Sequence, residues 1–228
     1  MGEPCRMRVR YVKDGRLAYL GHLEVMNTIM RCVRRSGLPF EVGNGFARRM
    51  RIQFSQALPV GASSAGEYYD LMLPHPVDVT QALAQLREAT PSALQPNACK
   101  LLPRKVPALE AWVNVSRWDA VVQADGVDAD VFAQGVERVV AQDVIEYMRG
   151  PKLRRIQVSP TLMSCHATDT SEGVALSIQT RTTEAGALRP AVLVQAAVGC
   201  VPLRVCRVGQ WHEQEDGSRL DPMGSMWG

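Results

Sequence analysis

Apolar and polar residues alternate strictly over CRMRVRYV, residues 5–12. Cys5, Met7, Val9 and Tyr11 take one side and Arg6, Arg8 and Arg10 the other. Period two marks a half-buried strand, so the pattern predicts a strand with an exposed basic face. After the turn-forming KDGR the period changes. From His22 to Arg35, Leu23, Met26, Ile29, Met30 and Val33 recur at helical spacing, with Glu24, Asn27, Arg31 and Arg34 opposite. Gly37, Leu38 and Pro39 supply the stop: a residue free to turn left-handed, an apolar contact, and a proline that cannot continue the helix. RIQFSQALPV (51–60) and GEYYDLML (66–73) read as strands, PVDVTQALAQLREAT (76–90) as a helix capped by Asp78, and NACKLLP (97–103) as a short strand.

Strand, helix, strand, strand, helix, strand is the split βαβ order. The second half repeats it more faintly. AWVNVSRWDAVV (111–122) reads as a strand, DADVFAQGVERVVAQ (128–142) as a helix, and DVIEYMRG and RRIQVSP as strand-like. GVALSIQTRT (173–182) is a strand, RPAVLVQAAVG (189–199) a helix with Pro190 in its first turn, and PLRVCRVGQW (202–211) a last strand. The expected fold class is α+β, with two ferredoxin-like (split βαβ) lobes and antiparallel sheets. The lobes are expected at 1–104, with the basic face, and at 111–211, joined by a linker at 105–110. A tail at 212–228, rich in turn formers and weak in periodicity, is expected to be mobile.

Composition narrows the class. Over 228 residues, 46% hydrophobic and 21% charged positions fit a globular chain. No run of 18 apolar residues points to a membrane span, and the N-terminus lacks an apolar signal core, so a cytoplasmic protein is expected. The six cysteines are scattered without CxxC or CxxxCxxC spacing, which predicts reduced structural thiols and neither a metal nor another cofactor. Charge is unevenly spread. Residues 1–55 carry eleven Lys/Arg against four acids, a net +7, leaving −4 for the rest of a chain whose total is +3. That asymmetry calls for an anionic or acidic partner.

The densest basic group is Arg48, Arg49 and Arg51, just after GNGF (43–46). Asn44-Gly45 is a hairpin signal, and Phe46 at such a tip would either stack on a base or pack on a neighbouring loop. GNGF is neither a dinucleotide fingerprint nor a P-loop, since no helix clearly follows its glycines and no Lys-Ser/Thr closes it. Arg6, Arg8 and Arg10 form a second group that would merge with the first if strands 5–12 and 51–60 were neighbours, and guanidinium forks suit phosphate. The plain alternative is a solvated edge, and stacked aromatics of an RNP-type sheet are missing, because Tyr11 points to the other side. RGPKLRR (149–155) adds another basic group around a Gly-Pro turn; it either extends the same surface or is simply a basic hairpin.

His22 and Glu24 open the first helix. Two residues apart they point in different directions, so a structural role, with Glu24 complementing the helix dipole, is the better reading. Glu67 and Asp70, three apart on a strand, lie on opposite faces and do not form a carboxylate dyad. No GxSxG, HExxH or kinase signature occurs.

RVRYVKDGRLAYLGHLEVMNTIMRCVRRSGLPFEVGNGF followed by RIQFSQALPVGASSAGEYYDLML resembles the radical-SAM-linked family, a bacterial domain of unknown function. The match is good over about residues 6–75 and looser at KLRRIQVSP, at Arg189-Pro190 and at RVCRVG. The matching positions are His22, Glu24, Arg34, Arg35, Gly45, Phe46, Arg51, Pro59, Gly61, Glu67 and Asp70. The resemblance implies a partner: members are fused to, or encoded beside, a radical S-adenosylmethionine protein, often near ribonuclease and ribosomal-protein genes. It also implies that the domain is not itself the iron–sulfur enzyme. One departure matters. The family usually places an Asn-Pro-His-Pro-like segment after Gly-Phe, where this chain has Ala47, Arg48, Arg49 and Met50. The histidine is gone and positive charge has been added, which favours binding at that loop.

The leading expectation is a non-catalytic accessory module of a radical-SAM protein, with a basic surface for RNA built from Arg6, Arg8, Arg10, Arg34, Arg35, Phe46, Arg48, Arg49 and Arg51. The alternative is a protein-interaction adaptor whose arginines meet an acidic surface without nucleic acid. A third reading, an enzyme, would need the fold to bring His22 to Glu67 or Asp70.

Overall fold

The computed structural model describes residues 3–224, which form two compact units. One comprises the chain up to Val113 together with the segment from Gln210 onward; the other is Asn114–Gly209.

In the first unit the elements are β1 (Cys5–Lys13), α1 (His22–Arg35), β2 (Ile52–Phe54), β3 (Ser63–Leu73), α2 (Val79–Ala89), β4 (Pro96–Leu102) and the short helix α3 (Leu109–Trp112). The strands run antiparallel in the order β4-β1-β3, with β2 also paired to β3. The alternation read from the sequence decides what each face carries. Met7, Val9 and Tyr11 from β1 and Tyr69, Leu71 and Leu73 from β3 meet Val25, Ile29 and Val33 of α1 and Ala82 and Leu86 of α2 in one core. The helix starts are capped as their residues predict. The Glu24 carboxylate accepts from the Gly21 N–H at 2.7 Å, and Asp78 accepts from the Gln81 N–H at 2.7 Å. Gly37 adopts the left-handed φ of 73° that ends α1.

In the second unit the order is β5 (Val115–Val122), α4 (Ala129–Gln142), β6 (Val144–Arg149), β7 (Lys152–Gln157), β8 (Leu162–Thr170), β9 (Gly173–Thr183), β10 (Gly186–Ala187), α5 (Pro190–Val198) and the start of β11 (Arg204–Glu213). β9 is the central strand, antiparallel to β5, β8 and β10. Two expectations are corrected here. β6 and β7 leave the main sheet as a separate two-stranded hairpin, and β8, not foreseen, takes a place beside β9. The polar run Ser164–Thr170 is largely exposed and hides its strand character from a hydropathy reading.

Gly135 in α4 lets α5 approach closely. A methyl at this position would overlap the Ala197 carbonyl oxygen and lie 2.9 Å from its carbon. Helix propensity alone favours Gly135→Ala by about 1 kcal/mol, whereas forced overpacking against backbone costs about 1–3 kcal/mol. The contact is with backbone and cannot rotate away, so Gly135→Ala is expected to lower the thermal midpoint by a few degrees in calorimetry. A raised midpoint would mean that the helices are not in contact at this point.

The segments expected as linker and tail belong to the first unit. Leu109, Trp112 and Val113 are buried against Tyr68, and Leu220 and Met223 join that cluster. β12 (Arg219–Leu220) pairs with the end of β11, His212 opposite Leu220. The mobile tail expected at 212–228 is therefore replaced, as far as Gly224, by a folded return; residues 225–228 lie outside the described residues. No helix among the described residues is long and apolar enough to cross a membrane.

Candidate functional site

The exposed basic face expected of β1 is overturned for its two inner arginines. Arg6 is 5% exposed and Arg8 1%, and both converge on Asp70, which is 0% exposed. Register sets this up, since Arg8 and Asp70 stand opposite each other on β1 and β3. Arg8 makes a two-pronged bond to the carboxylate, Nε to Oδ1 at 2.8 Å and Nη2 to Oδ2 at 2.9 Å, and Arg6 Nη1 donates to Oδ2 at 3.1 Å. Two cations against one anion leave an excess positive charge, which backbone carbonyls absorb. Arg6 donates to Pro107 and Arg104 carbonyls at 3.4 Å each, and Arg8 to Pro222 O at 3.1 Å. The Arg8 guanidinium also lies 5.7 Å from the centre of the Trp112 ring. These contacts make Arg6, Arg8 and Asp70 a structural cluster beneath the segments that cover the sheet. Arg10, further along, is half-buried and reaches the Ala65 carbonyl at 3.5 Å.

Arg48, Arg49 and Arg51 keep their place at the surface. Residues 41–51 form a hairpin whose rungs are Arg51 N–H to Glu41 O at 2.9 Å and Gly43 N–H to Arg49 O at 2.8 Å. Met50, buried, anchors its root. The Asn44-Gly45 turn signal finds a wider turn than it predicts. Arg48 N–H bonds Gly45 O at 2.9 Å, and the left-handed residue is Arg48 itself, with φ of 40°. An L-residue held there stores roughly 1 kcal/mol or more. Phe46 stands fully exposed at the tip, with Arg48 and Arg49 exposed beside it and neither in an ion pair among the described residues. Arg51 is partly neutralised at 3.4 Å from Glu41, which Arg104 grips with both terminal nitrogens. That Arg104 hydrogen bond holds the Glu41 carboxyl below its usual range. Sequence reading missed Glu41 and Arg104 as the brace of this hairpin, because they lie 63 positions apart.

Arg34 and Arg35 end α1 exposed, but Arg35 is occupied, donating to Ala89 O at 2.9 Å at the end of α2. His22 lines a cleft of about 290 Å³ with Phe54, Gln53 and Glu110, its ring edge-on to Phe54 at 6.0 Å between centroids. Glu24 turns to the helix cap instead. Neither Glu67 nor Asp70 lines this cleft. Asp70 is held by its arginines, and buried Glu67 lies 3.4 Å from the Gln210 side-chain amide. Among the described residues no group of three or more His, Cys, Asp or Glu is placed to hold a metal ion.

None of the curated proteins matches this chain. A family of bacterial proteins does, over residues 6–190, a span that holds the arginine hairpin, the buried Arg6–Arg8–Asp70 cluster and most of the second unit. On that match the chain belongs to DUF2344, described as an uncharacterized protein conserved in bacteria.

Proposed function

We propose that the protein is a non-catalytic accessory module that works beside a radical-SAM protein and grips RNA with the hairpin 41–51. The observation that carries this reading is the tip itself: a fully exposed Phe46 flanked by two arginines that make no ion pair among the described residues. Burying Phe46 would be the ordinary fate of such a side chain, and its exposure costs apolar hydration that a stacked base recovers. Guanidinium groups beside it take the flanking phosphates. The order β4-β1-β3 with β2 on β3 supports a ferredoxin-like first lobe as the scaffold that holds this hairpin at its edge. The radical-SAM partner rests on the resemblance of residues 6–75 to the radical-SAM-linked family, and cytoplasmic placement follows from the same reading.

The test is an anisotropy titration of the full chain with a labelled structured RNA across a salt series. Log affinity is expected to fall linearly with log salt, with a slope of roughly −2 if three phosphates of a single-stranded stretch are neutralised. Failure to bind at low salt would sink the RNA reading and turn attention to an acidic protein surface as the partner.

A further inference from the structure

The β6–β7 hairpin changes character along one face. Directly opposed pairs share a face, and Ile145 with Ile156 at the root is buried. The next pair on that face is Tyr147 with Arg154, and the last is Arg149 with Lys152. Beyond the root, Tyr147, Arg149 and Arg154 of this face line a cleft of about 500 Å³, together with Arg155, the β10 residues and Arg189, the residue preceding α5. That size suits a small ligand. Four arginines line the cleft and, among the described residues, no carboxylate does. Arg155 has its own counter-ion, Glu146 at 2.6 Å. Arg149, Arg154 and Arg189 make no ion pair among the described residues.

Like charges gathered without an anion repel one another, and the cost rises as water is removed. Arg189 is the member that pays it, half-buried in the second unit. Desolvation first, and then the Arg149 charge, hold its guanidinium below the ordinary value. Arg149 and Arg154 are themselves exposed; what departs from an ordinary basic hairpin is the half-buried arginine from another element that lines the same cleft.

We infer that Arg149, Arg154 and Arg189 form a binding site for a phosphate-bearing ligand, with Tyr147 available to its organic part. Three arginines lining one cleft offer forked donors to the oxygens of one or two phosphates and relieve their own repulsion on binding. The site stands on residues of the second unit alone and is independent of the RNA reading for the hairpin 41–51. Phosphate of this kind comes either from a free phosphorylated small molecule or from the backbone of RNA.

Calorimetric titration of the full chain with inorganic pyrophosphate at low salt tests the site. Arg149→Gln and Arg189→Gln should each weaken binding by about tenfold or more, the loss expected for one charge-assisted contact. Arg117→Gln, at an exposed arginine of β5 that does not line the cleft, should leave it unchanged. Both cleft variants replace side chains with solvent access, and circular dichroism checks their fold. A second arm asks whether pyrophosphate displaces a labelled single-stranded RNA from the Arg48→Glu/Arg49→Glu/Arg51→Glu chain. Displacement identifies RNA backbone as the source; pyrophosphate binding without competition identifies a free phosphorylated molecule. No pyrophosphate binding by the parent chain, or binding equal in parent and both cleft variants, overturns the proposal.

Discussion

Asp70→Ala is expected to destabilise the first unit by about 3–5 kcal/mol, a large share of the stability of a marginally stable chain. The cause is not the lost attraction by itself. Asp70 is fully buried and takes three hydrogen bonds from Arg6 and Arg8, so its removal leaves two guanidinium groups under cover with no anion. Asp70→Asn should also be costly, since it keeps the shape and removes the charge. Replacing all three by apolar residues, Arg6→Met/Arg8→Met/Asp70→Leu, should restore much of the loss, because nothing charged then remains to be solvated. Urea denaturation followed by tryptophan fluorescence checks the series. A midpoint for Asp70→Ala equal to that of the parent would show that water reaches the two arginines and that this face is open.

Charge reversal at the hairpin is the counterpart at the surface. Arg48→Glu/Arg49→Glu/Arg51→Glu should lower RNA affinity by on the order of a hundredfold or more and reduce the salt slope by roughly 2. Thermal stability should hardly move. Arg48 and Arg49 are exposed and without an ion pair among the described residues, and Glu41 keeps its two-pronged bond to Arg104 after Arg51 is gone. Phe46→Ala isolates the stacking part and should cost about 1–3 kcal/mol of binding, with a salt slope equal to the parent's. A triple variant that folds normally and binds RNA as well as the parent removes the hairpin from the interface.

Much of the first unit was legible in its residues. The alternation in CRMRVRYV named the strand and sorted its side chains correctly between two faces, since successive Cβ atoms must point to opposite sides. The spacing from His22 to Arg35 and the Gly37 stop located α1, and Glu24 serves the cap as its place in the first turn suggests. These are local matters, decided by dihedral geometry and by neighbours within a turn. The exposed Arg48 and Arg49 also follow from a local cause, a polar hairpin tip too small to bury anything.

What the chain's pattern could not express is which faces acquire a second cover. The arginine side of β1 reads as solvent-facing because it is polar, yet α3, about 100 positions along, and the returning residues Leu220–Met223, about 200 along, pack over that face of the unit. Once covered, the same arginines must find an anion and carbonyl oxygens, and Asp70 on the neighbouring strand supplies the anion. Likewise, RGPKLRR looks like any basic turn until Arg189, some 40 positions later, is set against it around a hollow. Local sequence determined the elements and the sorting of their faces. Long-range packing alone decided whether a charged face meets water, a partner side chain or a cleft, because burial is a property of the segments that close over a residue and not of the residue itself.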